Sequence, residues 1–347
     1  MQTTAIPIQN IYYLLCYAWN RLQEGSIGAV EPTEETSLVD LFAKVLIGGV
    51  SHLLKRGLDR GYVHQNEDTG RLRGKIQFQR SLTYILLRAP KANCEYDELN
   101  HNVLHNRILK ETIRLLISAI DLDSELKDRL VGLYRRLHEV EHVTLSSHVF
   151  RQVQLYRNNQ FYDFLMRICD LIFSNLLPTE HQGKSKFRDF IRDESQMRLL
   201  FEGFVRNFYK IEQSQFSVGR ENIAWKGVAL DEASQGFLPI MQTDISMTSA
   251  GRKVVIDCKF YREALQLHYG HQSIHSENLN QLMVYLKNLE DDGINKHCEG
   301  ILLYPTVEED LDLRHQIWDH KVSVHTVNLN QDWRLIHKRL LDVIDLN

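Results

Sequence analysis

Residues 254–261 read Val254-Val255-Ile256-Asp257-Cys258-Lys259-Phe260-Tyr261, an apolar run that carries an acid and a lysine two positions apart. Side chains of a β-strand alternate between its two faces, so Asp257 and Lys259 share one face with Val255, while the other face is apolar. Charged side chains are seldom placed in a buried strand unless they have a specific partner or task. The stretch therefore predicts a strand that carries a functional site.

A second acid lies on the strand upstream. Asp244 precedes a turn at Ser249-Ala250-Gly251, so strand pairing can bring it beside Asp257. Two convergent carboxylates can hold a hard cation such as Mg²⁺, and the main-chain carbonyl of Cys258 can add an oxygen ligand. Such a cation would polarise a scissile phosphate, while Lys259 orients or helps deprotonate the attacking water. Spacing alone leaves a second interpretation open, an exposed salt bridge between Asp257 and Lys259 at a sheet edge.

Two helices are predicted to flank these strands. Apolar residues recur at helical spacing from Met197 to Phe208, which predicts an amphipathic helix. Glu202 lies at the flank of the apolar face of this helix, where it is either a third carboxylate of the site or a solvated side chain. The helix predicted over 277–289 presents Gln281 and Tyr285 together. These two side chains either bind a DNA phosphate or the lysine, or face water. Strands are predicted near 216–225, 240–247, 253–261, 300–304 and 322–327, which together form a small mixed sheet flanked by helices.

The first half of the chain has a different pattern. Helices are predicted over 11–19, 38–56 and 102–120, and a glycine-punctuated β-hairpin or barrel-like element over 70–81. At about 100–200 residues per domain, a chain of 347 residues indicates two domains. We place the boundary after residue 155, which gives an N-terminal mixed α/β domain (1–155) and a C-terminal α/β domain (156–347).

Charge and composition exclude several classes of protein. The 41 Lys and Arg against 45 Asp and Glu leave a net charge of −4, so the chain is not one that holds DNA by bulk charge alone. We expect no membrane span and no signal peptide. The five cysteines are far apart, which is typical of reduced thiols in a cytoplasmic protein.

One segment of the first half is locally basic. Residues 70–92 contain Arg71, Arg73, Lys75 and Arg80 and no acid. Such a patch can follow DNA phosphates or face an acidic ring pore. A solvated hairpin face is the alternative.

Two short motifs match known signatures without their usual context. Residues 138–142 satisfy H-E-x-x-H, but they run into a β-prone segment and no third zinc ligand is evident. Gly183-Lys184-Ser185 resembles the end of a P-loop, yet Pro178 stands at the earlier glycine position. We expect this chain to bind neither zinc nor a nucleotide on its own.

The candidate residues share the pattern of a known nuclease superfamily. Asp244, Asp257-Cys258-Lys259 and Gln281-x-x-x-Tyr285 resemble the PD-(D/E)xK nucleases, in the branch with a Q-x-x-x-Y helix, although Thr243 replaces the proline. The whole chain resembles the McrC family, the nuclease subunits of McrBC modification-dependent restriction systems. The segments that carry this resemblance are Asn10–Trp19, Arg56-Gly57-Leu58, Gly74-Lys75-Ile76, Asn106-Arg107-Ile108, Leu133–Leu137, Leu238–Asp244 and Thr326–Leu329.

The resemblance implies a partner and a division of labour. McrC-like chains join McrB, a hexameric AAA+ GTPase that binds the GTP and reads 5-methylcytosine through its own N-terminal domain. By this resemblance, residues 1–155 are expected to dock in the ring and stimulate GTP hydrolysis. Residues 156–347 are expected to form a PD-(D/E)xK-type domain that cuts double-stranded DNA containing modified cytosine.

The resemblance also assigns roles to the site residues. Asp244, Asp257 and Lys259 are the expected catalytic residues, with Gln281, Tyr285 and Glu202 in support. The expected ligands of Mg²⁺ are Asp244, Asp257 and Cys258 through its carbonyl. Two other functions stay open from the residues alone: a non-catalytic activator of an AAA+ NTPase, and a stand-alone DNA repair nuclease.

Overall fold

The chain forms two compact units. The first, called here the helical unit, contains the described residues between 37 and 187. The second, the sheet unit, contains those between 6 and 19 and between 193 and 345. The structure is a computed structural model that describes residues 6–19, 37–86, 90–155, 160–178, 185–187, 193–234, 236–260, 265–268, 271–290, 297–307 and 311–345.

The first described helix, α1 (Ile8–Ala18), belongs to the sheet unit, whereas the sequence assigns it to the N-terminal domain. The rings of Tyr13 and Tyr17 lie 5.6 and 5.7 Å from the ring of Phe204, in edge-to-face contacts. Burial of such large aromatic surfaces favours this long-range packing. The predicted boundary after residue 155 lies inside the helical unit.

The helical unit combines helices with an antiparallel ribbon of three strands in the order β1-β3-β2. Helix α2 is bounded by clear signals: the Ser37 side chain caps its start, and Gly57, with φ +98°, ends it. The elements of this unit are α2 (Leu38–Arg56), β1 (Gly61–Thr69), β2 (Lys75–Ile76), α3 (Phe78–Leu86), β3 (Ala92–Asn100), α4 (Leu104–Ser118), α5 (Ser124–Arg136), α6 (Ser147–Arg151), α7 (Gln160–Asn175), β4 (Leu176–Pro178) and β5 (Ser185–Phe187).

The ribbon differs from the hairpin predicted over 70–81. β1 pairs with β3 from Gly61 and Asn100 to Thr69 and Ala92, and β2 adds only two residues to it. Helix α3 follows almost at once, since its first turn is stabilised by local main-chain hydrogen bonds. The hairpin prediction was therefore right about strand character near residue 75 and wrong about the strand partner.

Asn106 ties one end of the ribbon, where β1 begins and β3 ends, to the helices. Its side-chain amide donates to the carbonyl of Asp59, before β1, at 3.0 Å and to that of His101, after β3, at 2.8 Å. Its Oδ1 accepts a hydrogen bond of 2.8 Å from the Tyr162 hydroxyl of α7. Asn106 is fully buried, so these bonds satisfy a group that would otherwise be costly to bury.

The sheet unit is built on a mixed sheet of six strands in the order β14-β15-β13-β10-β9-β6. β10 runs parallel to β13 and antiparallel to β9, so it is an interior strand. The elements are α8 (Glu194–Glu212), β6 (Ser217–Gly219), β7 (Asn222–Ile223), β8 (Met241–Gln242), β9 (Ile245–Thr248), β10 (Lys253–Cys258), β11 (Leu265–His268), β12 (His271–Ile274), α9 (Ser276–Leu289), β13 (Glu299–Thr306), β14 (Asp312–Ile317), β15 (His320–Asn328) and α10 (Trp333–Val343).

Helices cover the sheet around β10, whose residues are all buried. Val255 packs in one apolar cluster with Leu282 and Leu286 of α9, and α8 also packs against β10. Gly300 of β13 allows this close approach, because a Cβ there would lie 2.8 Å from a methyl carbon of Leu286. The predicted class, a mixed sheet flanked by helices, is confirmed. In the parts of the chain that the structure describes, no helix has the length and apolar character needed to cross a membrane.

Candidate active site

An extra residue in the strand before β9 presents Asp244. Gly219 pairs with Ser246, and Asn222 pairs with Gln242. Between these two pairs one strand advances by three residues, from 219 to 222, while the other advances by four, from 246 to 242. The second strand therefore contains one extra residue. Asp244 lies in this bulge, and a bulge is a common way to redirect a side chain next to an active site.

Hydrogen bonds fix the main chain on both sides of the bulge. Thr243 N donates to the carbonyl of Glu221 at 3.0 Å, and Glu221 N donates to Thr243 Oγ1 at 3.0 Å. Arg206 Nη1 donates to the carbonyl of Asp244 at 3.3 Å. The Asp244 carboxylate accepts a hydrogen bond of 2.9 Å from Cys258 N, which holds it against the end of β10.

Asp257 is buried at the end of β10. Only 1% of its surface is exposed, so the interpretation as an exposed salt bridge at a sheet edge is wrong. Lys259 Nζ lies 2.9 Å from Asp257 Oδ2, yet neither carboxylate oxygen accepts a hydrogen bond from any described residue. A buried acid without hydrogen-bond donors is unfavourable. Its oxygens are thus available to a further positively charged group.

Helix α9 holds the lysine. Lys259 Nζ donates to Gln281 Oε1 at 2.7 Å, and Gln281 Nε2 donates to the Tyr285 hydroxyl at 2.6 Å. Tyr285 is itself buried in the apolar cluster beneath the sheet. Of the alternatives for Gln281 and Tyr285, the structure favours the one in which they position the lysine.

Glu202 on α8 is neither solvated nor free. Its Oε1 accepts a hydrogen bond of 2.9 Å from Arg206 Nη1, and Arg220 contacts the same oxygen. The sequence-based candidates did not include either arginine. Arg206 could have been identified from the sequence, because it follows Glu202 by four residues on one helix, a spacing that allows an ion pair. Arg220 comes close only through the pairing of β6 with β9.

Crowded negative charge changes the acidity of the carboxyl groups. Burial, together with the charges of Asp257 and Glu202, raises the pKa of Asp244 to about 7. Burial also raises the pKa of Asp257, although Lys259 opposes this. A cation between the two carboxylates would relieve their repulsion. Burial raises the pKa of the Cys258 thiol well above its usual range, which favours the neutral thiol and leaves the main-chain carbonyl as the oxygen that Cys258 offers to a hard cation.

The donor set fits a hard divalent cation. Within the described ranges no three Asp, Glu, His or Cys side chains are grouped to hold a metal ion. The oxygens at hand are those of the Asp244 and Asp257 carboxylates and the Cys258 carbonyl. Mg²⁺ is commonly held by one or two carboxylates while water and phosphate oxygens complete its shell.

The basic residues of the first half lie between β1 and helix α3 of the helical unit: Arg71 and Arg73 in the connection before β2, Lys75 in β2 and Arg80 in α3. Arg71, Arg73, Lys75 and Arg80 are all exposed, as both interpretations of that segment require. The guanidinium of Arg73 lies over the Tyr96 ring at 5.5 Å and 4.0 Å from Glu98. Acidic residues of β3 therefore offset part of this local positive charge.

The H-E-x-x-H match does not have the geometry of a zinc site. Helix α5 ends at Arg136, before the motif begins, and His142 pairs with Glu111 of α4. The two histidines are thus not on one helical face, which this type of site requires. In the other motif, Gly183 and Lys184 lie outside the described residues.

Comparison with known proteins identifies related sequences and structures. Residues 9–305 match the family model described as "McrBC 5-methylcytosine restriction system component". The "Type IV methyl-directed restriction enzyme EcoKMcrBC" of Escherichia coli (strain K12) is 33% identical over 345 residues, which cover 99% of this chain and 99% of that protein.

Comparison with solved structures gives one match with a similar fold and one weaker match. A refined half-complex from a tetradecameric assembly of Thermococcus gammatolerans McrB AAA+ hexamers with bound McrC matches with a TM-score of 0.56 and 16% identity, over 97% of this chain and 76% of that chain. A cryo-EM structure of the Thermococcus gammatolerans McrBC complex matches with a TM-score of 0.42 and 18% identity, over 62% of each chain.

Proposed function

This chain belongs to the family of McrBC 5-methylcytosine restriction system components, and from that premise we propose that it is the DNA-cleaving subunit of a GTP-dependent restriction complex. Its relative in Escherichia coli is named a type IV methyl-directed restriction enzyme. We assign to this chain Mg²⁺-dependent hydrolysis of double-stranded DNA, as a type IV restriction endodeoxyribonuclease subunit. An AAA+ GTPase ring resembling McrB would bind the GTP and select DNA with modified cytosine.

One observation carries the assignment of cleavage to this chain. Among the described residues none donates a well-aligned hydrogen bond to the buried Asp257 carboxylate, whose Oδ2 has the Lys259 ammonium group at 2.9 Å, and Asp244 converges on the same strand end. Clustered charge inside a sheet is unfavourable for stability and is therefore a mark of a functional site. A subunit that only activated an NTPase would have no use for this arrangement.

The side chains of the site suggest how each one contributes. Asp244, Asp257 and the Cys258 carbonyl would hold Mg²⁺, which when bound polarises the scissile phosphate and stabilises charge on the leaving oxygen. Lys259 keeps its ammonium group beside Asp257, where it can orient the attacking water or stabilise developing negative charge. Gln281, backed by Tyr285, restricts the lysine to that position.

We further propose a division of labour between the units. The sheet unit carries the nuclease site and so has the role that was predicted from the sequence for residues 156–347. The helical unit docks with the GTPase ring and stimulates it, the role that was predicted for residues 1–155. The exposed Arg71, Arg73, Lys75 and Arg80, in and beside β2 and in α3, are the candidate contacts with the ring or with DNA.

Substitution of Asp257 and Lys259 tests the nuclease assignment. The full-length chain is mixed with its GTPase partner, and cleavage of methylated duplex DNA with GTP and Mg²⁺ is measured beside GTP turnover. Asp257→Asn and Lys259→Gln should each lower cleavage at least about 100-fold and leave GTPase stimulation unchanged. The control is Asp345→Asn, an exposed acid of the same unit. If both site variants cut at the wild-type rate, the assignment is wrong, and the activator function becomes the better one.

A further inference from the structure

Two arginines share one carboxylate oxygen beside the Asp244 bulge. Arg206 Nη1 lies 2.9 Å from Glu202 Oε1, and Arg220 contacts the same oxygen. One acid and two bases leave this group with a net charge of +1. One arginine is enough to balance the charge of Glu202. The second arginine therefore places an additional positive charge beside the two carboxylates of the candidate site.

The two arginines differ in how firmly they are held. Arg206 also donates to the Asp244 carbonyl, and its side chain is 23% exposed. Arg220 is 42% exposed. If Arg220 moved away, Glu202 would keep Arg206 as its partner, so the movement would not leave a buried carboxylate unpaired. Arg220 is therefore the guanidinium that can exchange partners.

Strand register places Arg220 across from the candidate metal site. On one side of it Gly219 pairs with Ser246, and on the other side Glu221 exchanges hydrogen bonds with Thr243. Arg220 lies between Gly219 and Glu221, and Asp244 lies between Thr243 and Ser246 on the facing strand. Arg206, which shares Glu202 with Arg220, also donates to the Asp244 carbonyl, so the arginine pair adjoins the bulge.

We infer that Arg220 binds a phosphate group of the DNA strand that is cleaved, and that it exchanges Glu202 for this phosphate. The inference rests on the proposed nuclease function. A backbone phosphate is negatively charged, and a guanidinium presents paired N–H donors that suit its oxygens. Asp244 and Asp257 repel DNA, and a cation at the same strand end offsets that repulsion.

Salt-dependent binding tests this contact directly. The full-length chain, without the partner, is titrated with a short duplex at several salt concentrations, with Ca²⁺ in place of Mg²⁺ to prevent cleavage. Losing one phosphate contact removes about 0.9 from the slope of log affinity against log salt. A fourfold rise in salt should therefore weaken wild-type binding about threefold more than it weakens Arg220→Gln. The control Arg314→Gln, at an exposed arginine of β14, should keep the wild-type slope.

Glu202→Gln separates a phosphate contact from a structural role. It removes the acid that competes for Arg220, so the slope should stay at the wild-type value and the affinity should not fall. Melting temperatures of all variants identify any loss of folding. A wild-type slope in Arg220→Gln, or a slope lowered equally in Glu202→Gln, would overturn the inference.

The result is distinguishable from failure of the nuclease proposal. If Asp257→Asn abolishes cleavage but Arg220→Gln keeps the wild-type slope, only the phosphate contact is wrong. If Asp257→Asn cleaves normally, the nuclease proposal is wrong whatever the slope. A lowered slope in Arg220→Gln together with an inactive Asp257→Asn supports both.

Discussion

Arg206 donates a hydrogen bond of 3.3 Å to the main-chain carbonyl of Asp244, the residue at the bulge. Main-chain carbonyls in a regular sheet are paired by the neighbouring strand, and a bulge interrupts that pairing. A side chain from α8 supplies the donor here. The position of the first acid of the site therefore depends on a helix as well as on the sheet.

Replacing Arg206 should weaken metal use more than folding. In Arg206→Met the bulge loses its donor, so the Asp244 carboxylate is less well placed to share a cation with Asp257. We expect the Mg²⁺ concentration for half-maximal DNA cleavage to rise several-fold. The control is Arg198→Met, at an exposed residue on the same helix. Equal Mg²⁺ requirements in the two variants would show that Arg206 does not position Asp244.

The raised pKa of Asp244 predicts how pH affects stability. Its pKa is about 7 in the folded chain against a usual 3.8, so between these values the folded state binds more protons than the unfolded state. Without metal, stability should therefore fall as pH rises from about 4 to 7. The proposed Mg²⁺ would bind the ionised carboxylates, so it should raise the melting temperature more at pH 8 than at pH 6. Asp257→Asn should lose this gain, and an equal gain at both pH values would contradict the two-carboxylate site.

The pair of Lys253 and Glu221 should contribute strongly to stability. Lys253 Nζ lies 2.7 Å from Glu221 Oε1, and their side chains are 6% and 32% exposed. Lys253→Met would leave Glu221 with only the Ser246 hydroxyl as a donor among these contacts, at a cost of about 3 kcal/mol in unfolding free energy. Adding Glu221→Gln should recover most of this loss. Urea denaturation measures both effects, with the exposed Lys321→Met as control, and a loss no larger than in that control would contradict the prediction.

Asn106 should affect the helical unit alone. Asn106→Leu removes the donors to the Asp59 and His101 carbonyls, which we expect to lower the free energy of unfolding by about 2 kcal/mol. Because the ribbon then loses its anchor, stimulation of the partner GTPase should fall as well. Tyr162→Phe removes only one bond and should have a smaller effect on both measurements. Unchanged GTPase stimulation in a folded Asn106→Leu chain would separate the ribbon from partner activation.

Local signals in the sequence predicted many elements well. Helix α2 is confirmed over 38–56, because a capping serine and a glycine with positive φ bound it. Helix α9 is confirmed within one residue of its predicted start, since its apolar spacing is regular. The partner of the strand near residue 75 could not be predicted in this way. Its pairing with β3 depends on contacts across an intervening helix.

For the candidate site too, contacts between distant parts of the chain could not be predicted from the sequence. The alternation of β10 puts Asp257 and Lys259 on one face, and the turn after β9 puts Asp244 nearby, so these residues could be chosen from spacing. Whether β10 lies at an edge or inside the sheet depends on its pairing with β13, which begins about forty residues later in the chain. Arg220 likewise becomes a neighbour of Glu202 only through sheet register.

The parallel pairing of β10 with β13 also sets an order of events during synthesis. β9 and β10 are joined by a short turn, so Asp244 and Asp257 can meet as soon as that hairpin leaves the ribosome. Lys259 N donates to the Leu303 carbonyl at 2.9 Å, a bond that must wait for the crossover through α9 and for β13. The nascent chain thus acquires its two acids early and its anchored lysine late. By then the helical unit has already been made. Under the proposed division of labour, DNA cleavage would therefore become possible only after the unit that would dock with the partner has been synthesised.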